Sequence, residues 1–313
     1  MTQPTTLASY RRAERLMGNQ FILTAVSGSN THAEAALEEA VNEIRRIEAL
    51  LTTFSNDSVT AQINAAAGEC PVRVPIEVYA LIERSLRISG LTQGAFDISY
   101  GSIDKRFWNF DRHMTALPDP AEAKERVRLI NYRNIILDPG ASTVFLREKG
   151  MRIGFGGIGK GYAAERAKGV LLACGIHSGV VNASGDLCAW GTQPDGTPWT
   201  VGIAAPETER QPFARFLLRD GAVATSGDYE KFVLIGGKRY SHTIDPRTGY
   251  PVGGIKSVTI FCPNAEIADA LATPVLVMGI RAGLDLINQL RDVECLLIDE
   301  QDRVHCSQNI KWH

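Results

Sequence analysis

No run in these 313 residues reaches the ~18 consecutive apolar residues that a membrane-spanning helix needs. Met1 to Tyr10 carries no basic region followed by an apolar core, and no cysteine stands where a lipid would be attached. Both absences lead to the expectation of a cytoplasmic protein. Cysteine is sparse and scattered: Cys70, Cys174, Cys188, Cys262, Cys295 and Cys306 form no CxxC or other metal-ligand spacing. Most have apolar neighbours, as in Leu171-Leu172-Ala173-Cys174, so buried reduced thiols are expected. No dense stripe of Lys and Arg occurs, and a formal net charge of −2 gives no reason to expect a nucleic-acid surface. An anionic ligand must therefore be met by local groups. Repeats and low-complexity linkers are absent too.

What is present is ordinary in bulk: 44% hydrophobic and 22% charged residues suit a globular chain with a sizeable core. Residues 1–16 are polar and are expected to form a flexible lead-in. Residues 17–313 are expected to form one domain, any division into two intimately packed subdomains falling softly near residue 150. Ala36, Ala40, Ile44, Ile47 and Leu51 recur at helical spacing, which predicts a helix over 31–51. Further helices are predicted over 75–89, 122–130, 161–174, 265–278 and 281–290. Strands are predicted over 21–26, 179–182, 187–190, 200–204, 213–218, 231–235, 257–261, 295–299 and 303–306. Asp138-Pro139-Gly140 marks a hairpin turn between 131–138 and 144–147. Strand runs broken by turns, with helices interspersed, make the fold class α+β, with mixed, largely antiparallel sheets and flanking helices.

Chemistry concentrates in a few segments. Ser241-His242-Thr243-Ile244-Asp245-Pro246-Arg247-Thr248-Gly249-Tyr250-Pro251 packs an imidazole, a carboxylate, a guanidinium and hydroxyls around turn residues. That density suits holding a polyanion and moving a proton, although a polar loop alone would also produce it. Gly154-Phe155-Gly156-Gly157-Ile158-Gly159-Lys160-Gly161-Tyr162 feeds a helix N-terminus, where backbone N–H groups and the dipole favour phosphate. It is not a P-loop, because Gly161 stands where Ser or Thr must follow Lys160. Close packing of that helix is the competing explanation. Asp269 and Thr273, four residues apart, share a helix face and offer oxygen ligands to a hard cation such as Mg²⁺. Asp269 could instead serve the dipole of its own helix. Pro274 leaves the carbonyl of Ala270 without its helical partner. Gly94-Ala95-Phe96-Asp97, Asn182 to Asp186 and Ala224 to Tyr229 read as turn-rich junctions. His32, His113, His177, His305 and His313 lack a polar cluster and are read as surface or incidental.

Taken in order, these segments resemble the ApbE family, the FAD:protein FMN transferases, from Met17-Gly18 to about Gly279. The matching pieces are Phe54-Ser55-Asn56-Asp57-Ser58 with Asn64, Gly94 to Asp97, Gly156 to Tyr162, Asn182 to Asp186, Ala224 to Asp228, His242 to Pro251 and Ala268 to Thr273. The resemblance implies that FAD binds with Mg²⁺ on its pyrophosphate. A Thr or Ser hydroxyl of an acceptor flavoprotein then attacks the flavin-side phosphorus, and AMP leaves. It further implies metal binding by Asp269, Thr273 and the Gly159 carbonyl. Ala272 stands where some members add a carboxylate, so a water would substitute there. Met17, Phe54, Ala95, Phe96, Asp97, Gly156, Tyr162 and Thr243 match FAD-contacting positions, and His242 the position of the catalytic base. Gly154 departs from an Asp found in many members, and Phe54 from a Tyr. Many relatives are exported lipoproteins, whereas no export signal is visible here. FAD hydrolysis to FMN and AMP, and flavin binding without chemistry, are the alternatives.

Overall fold

The structure, a computed structural model, describes residues 6–103, 116–205, 208–227 and 232–310. In chain order the strands are β1 (Ala8–Leu16), β2 (Asn19–Ser27), β3 (Val72–Arg73), β4 (Ile135–Asp138), β5 (Thr143–Leu146), β6 (Gly179–Ala183), β7 (Asp186–Trp190), β8 (Trp199–Ala205), β9 (Thr208–Leu218), β10 (Gly221–Gly227), β11 (Phe232–Ile235), β12 (Lys238–Ser241), β13 (Ile255–Cys262), β14 (Glu294–Asp299) and β15 (Val304–Cys306). The helices are α1 (Asn30–Leu51), α2 (Val59–Ala65), α3 (Ile76–Leu91), α4 (Pro120–Arg126), α5 (Gly159–Ala173), α6 (Ala265–Met278) and α7 (Ile280–Ile287). An eight-stranded sheet runs β1-β2-β6-β7-β10-β13-β14-β15, every neighbour antiparallel. The rest pair as β3-β5-β4, β8-β9 and β11-β12. The α+β expectation is met. Among the described residues no helix is long and apolar enough to cross a membrane.

Alternation along the strands decides what covers each face of the large sheet. Leu23, Val181, Cys188, Ala222, Ala224, Val258, Ile260 and Leu297 point into the main core, which α1, α5 and α6 cover. Leu187 and Val223, with Leu296 and Ile298 further along, point the other way, where Val201 and Ile203 of β8 meet them. Ser29 caps α1 by accepting from the His32 amide, and Leu37, Ile44 and Ile47 on its inner stripe are completely buried. Each such side chain contributes about 1.5–3 kcal/mol. The helix facing the core in α5 is built from Ala163, Ala164 and Ala167, small enough to let α6 come close.

Three expectations change. Ala8–Leu16, read as part of a flexible lead-in, is a strand paired along its whole length with β2. Its inward face is apolar at Tyr10 and Leu16 and charged between them, where Arg12 reaches Glu14 and Glu38, and Arg45 of α1 reaches Glu14. The helix predicted over 122–130 runs from Pro120 to Arg126 instead, starting early because Asp119 accepts from the amides of Ala121 and Glu122. His305 is not incidental, since its Nε2 lies 2.9 Å from Asp299 Oδ2 beside Arg303. His113 and His313 lie outside the described residues, as do Asp228 and Tyr229. Of the six cysteines, all free, Cys188, Cys262 and Cys295 are buried and Cys70 is exposed.

An ion-pair network ties the outer sides of α1, α3 and α5. Arg46 donates to Glu43 and, through two nitrogens at 2.7 and 2.8 Å, to Glu77, and Arg166 joins Glu43. Hydrogen bonding from Arg46 first, and from Tyr162 with it, holds the Glu77 carboxyl at about 2 against the opposing effect of burial. A depressed carboxyl contributes stability above its ordinary value of 4.5 and loses it as pH falls toward 2. Urea denaturation at pH 6 and pH 3 should therefore show the wild type losing more stability than Glu77→Gln, by about 1 kcal/mol after solvent screening. Equal losses would mean that the pairing does not stabilise the fold.

Candidate active site

Five turns converge at one end of the sheet, and close contacts link them. Met17, held at φ 52° in the β1–β2 turn, reaches α5: a β-carbon on Gly159 would lie 3.5 Å from its Cε. The Gly94–Asp97 turn touches the glycine turn, since a β-carbon on Gly157 would lie 3.6 Å from Phe96. Gly154 donates to the Ile98 carbonyl at 2.9 Å. Asn64 brackets the entry to the glycine turn, donating to the carbonyl of Ile153 at 3.0 Å and accepting from its amide at 2.7 Å. Thr53 lies beside Gly154, which brings its neighbour Phe54 to the rim with its side chain almost bare, at 99% exposure. Gly94 faces Arg247 of the 241–251 loop. Met17, Phe54, Ala95, Phe96 and Gly156 are thus gathered around the glycine turn.

That turn ends in α5, whose first residues have no side-chain cap of their own. Asp269 on α6 supplies one. Its Oδ2 accepts from the Gly161 amide at 2.9 Å, so the carboxylate serves the dipole of α5 rather than that of α6. Gly161 makes this possible: a β-carbon there would lie 2.1 Å from the Ala265 carbonyl oxygen. Glycine at 161 is therefore a packing requirement, while Gly156 has nothing within 4 Å of its missing β-carbon. Lys160 forms a hydrogen-bonded ion pair with Asp186, whose other oxygen accepts from the Thr225 amide at 3.2 Å. Thr273, one turn beyond Asp269, lies with its Oγ1 3.0 Å from Ser226 Oγ. Ala272 is buried and brings only a methyl group.

Burial is the largest influence on Asp269 and pushes its carboxyl well above the usual range, the Lys160 ammonium opposes this, and Asp186 adds to it. Two buried carboxylates share one ammonium, together with two hydroxyls. Such a donor set consists of hard oxygens around excess negative charge, and it fits a cation of the Mg²⁺ class. Among the described residues no group of three or more His, Cys, Asp or Glu side chains could hold a metal, so any ion here would need hydroxyl, carbonyl or ligand oxygens as well. The sequence assigns no role to Asp186 or Ser226, and Lys160 enters only as the lysine of the glycine segment. Asp186 and Ser226 sit in segments that read as turn chemistry, and the missing signal was the pairing of β7 with β10.

Other predicted residues are placed differently. Asp97 is buried with both oxygens engaged: Oδ1 accepts from the Ser99 amide and hydroxyl at 2.8 and 2.6 Å, Oδ2 from the Tyr132 amide at 2.7 Å. Burial raises its carboxyl, and these hydrogen bonds oppose the rise. The Tyr162 hydroxyl faces away from Asp269 and donates to Glu77, with Arg84 over its ring at 5.8 Å. In the 241–251 loop Asp245 and Arg247 satisfy each other through two 2.9 Å hydrogen bonds. That pair builds the turn instead of presenting charge to a ligand. His242 is exposed directly after β12, and the Thr243 amide donates to Ser241 Oγ at 3.0 Å. The loop is anchored from below: Ile244 joins Ala123, Val127 and Ile130, Gly249 closes onto the Ala123 carbonyl, and the Tyr250 hydroxyl donates to Pro118 at 2.7 Å.

Comparison with known proteins bears on this arrangement. A family model described as the ApbE family matches residues 17–297. The FAD:protein FMN transferase of Treponema pallidum is 35% identical over 96% of this chain and 87% of its own. That of Klebsiella pneumoniae is 31% identical over 92% of this chain and 89% of its own. Among solved structures, the ApbE protein of Thermotoga maritima superposes with a TM-score of 0.85 at 30% identity, covering 96% of this chain and 97% of that one. The apo flavinyl transferase ApbE of Pseudomonas stutzeri gives 0.84 at 25% identity, covering 96% and 95%.

Proposed function

This chain belongs to the ApbE family, and from that premise we propose that it is a Mg²⁺-dependent FAD:protein FMN transferase. FAD is its substrate, and a flavoprotein bearing a Thr or Ser hydroxyl is the acceptor. The hydroxyl oxygen bonds to the flavin-side phosphorus, the pyrophosphate bond breaks, AMP departs and FMN remains on the acceptor through a phosphoester. One observation carries this reading: a buried carboxylate, Asp269, is aimed at the head of α5 where the glycine turn ends, with the Thr273 hydroxyl one turn away. Asp269, Thr273 and the Gly159 carbonyl would hold the ion, with a water in place of a ligand at Ala272. When bound, Mg²⁺ offsets the charge that builds on the pyrophosphate oxygens.

The remaining chemistry belongs to the chain. His242, exposed on a loop whose base is fixed by apolar packing, is placed to take the proton of the attacking hydroxyl near neutral pH. Phe54 and Met17 offer apolar surface for the flavin and adenine rings, the bare Phe54 ring at the rim favours stacking, and Phe96, buried against the glycine turn, backs that surface. Gly156 leaves room for a phosphate to approach the backbone. Ala95, Asp97, Tyr162 and Thr243 complete the FAD-contacting set, Asp97 with its carboxylate held by Ser99 and Tyr132 and Tyr162 with its hydroxyl on Glu77.

AMP release from FAD and Mg²⁺, followed with and without an acceptor flavoprotein, tests the assignment. Release only with acceptor, together with flavin retained on the denatured acceptor, is expected; release without acceptor would make the protein a hydrolase. His242→Ala should keep FAD affinity while lowering transfer about 100-fold, the lower end of what a general base supplies. Undiminished transfer by that variant would remove His242 from the chemistry.

A further inference from the structure

We propose that Asp186 and Ser226 are positioning residues that set how Thr273 and Asp269 present their oxygens to the cation, an inference that rests on the reading of those two as ligands. A threonine hydroxyl has one proton and two lone pairs. To bind an ion it must send the proton elsewhere, and the Ser226 oxygen at 3.0 Å lies in place to accept it. Ser226 is in turn held by its strand. β10 pairs with β7 only as far as Val223 opposite Leu187, while its other edge continues along β13 as far as Gly227 opposite Ser257. Beyond Val223 the backbone partner on the β7 side is replaced by a side chain: Asp186 Oδ1 accepts from the Thr225 amide at 3.2 Å. The neighbouring hydroxyl, Thr225 Oγ1, lies 3.0 Å from Thr259 Oγ1 on β13, which fixes the opposite face of the strand. Ser226 is therefore clamped from both sides at the end of an otherwise fraying edge.

Asp186 has a second task. Its other oxygen holds the Lys160 ammonium, a cation whose charge also acts on Asp269. With Asp186 in place, Lys160 has a dedicated counter-ion and Asp269 remains available to a metal ion. Without it, the ammonium would compete with the metal for Asp269. Outer groups that orient ligands in this way typically change metal affinity 10–100-fold.

The experiment is a Mn²⁺ titration of the metal-free protein by electron paramagnetic resonance, with thermal unfolding of each variant alongside. Ser226→Ala is expected to weaken Mn²⁺ about 10-fold, and Asp186→Asn, which turns an N–H donor toward Lys160, at least as much. Ser226→Thr, which keeps the hydroxyl in a residue suited to strands, should restore near-wild-type affinity. Melting temperatures should stay within a few degrees throughout. Thr273→Ala separates the two levels of the argument. If it weakens Mn²⁺ while Ser226→Ala and Asp186→Asn do not, the positioning roles are overturned and the cation site stands. If Thr273→Ala itself leaves affinity unchanged, the site and its positioning residues fall together.

Discussion

Asp269→Asn should lower FMN transfer at least ~10³-fold while leaving the protein as stable as before, within about 1 kcal/mol. The first half follows from removing the only carboxylate among the proposed ligands; about 4 kcal/mol of lost transition-state stabilisation corresponds to three powers of ten. The second half follows from what Asp269 does without an ion. The asparagine oxygen can still accept from the Gly161 amide, so the head of α5 stays capped. Lys160 keeps Asp186 as its counter-ion, and the repulsion between two buried carboxylates disappears. Substituting a buried charge normally damages a fold; here the charge sits in a place where the fold gains little from it. Steady-state AMP release and a thermal melt of the same preparation check both halves. A variant that still responds to Mg²⁺ like the wild type would take Asp269 out of the metal site, and a large drop in melting temperature would make its role structural.

Gly161→Ala is the second large effect, and it acts through geometry alone. The added β-carbon would lie 2.1 Å from the Ala265 oxygen and 2.7 Å from both the Ala265 carbonyl carbon and Asp269 Cβ. Two of these neighbours are backbone, so no rotamer change relieves the contact, and α5 must move away from α6. We expect a loss of about 3 kcal/mol or more, at the upper end of overpacking costs, together with loss of FAD turnover. Gly156→Ala, five residues earlier, is the matched control: with open space around it, stability should change by less than about 1 kcal/mol. Chemical denaturation of the two variants compares them directly. Similar stabilities would show that helix spacing at 161 is more yielding than the contact distances imply.

The contrast between these glycines also indicates what could be read in advance. Helix α6 was legible to the residue, because Asn264 caps it and Gly279 ends it with φ 81°. The Asp269–Thr273 pair was legible as well, since a four-residue spacing in a helix guarantees a shared face. Strand β10 was not, because Gly221-Ala222-Val223-Ala224-Thr225-Ser226-Gly227 has the small residues of a loop. Those small residues are what allow α6 to lie on the sheet, with Ala222 and Ala224 buried beneath it. Asp186 and Ser226 were missed for the same reason: their meaning comes from a partner strand more than thirty residues away. Tyr162 teaches the converse. The resemblance places it among the FAD-contacting positions, yet one residue along a helix rotates a side chain by ~100°, and its hydroxyl meets Glu77, a contact no spacing in the sequence announces. In the 241–251 segment the sequence advertised charge, and the structure spends it on the Asp245–Arg247 pair, which stiffens the loop carrying His242.

The outermost strand has a consequence for how such a molecule behaves in a crowded mixture. β1 alternates Arg11 and Arg15 toward water with Arg12 and Glu14 toward α1, leaving no greasy stripe on its free rim. A sheet that ended instead at β2, with Phe21, Leu23 and Ala25 along it, would offer an inviting template to any extended peptide. The ionic hem makes this rim a poor template for an added strand.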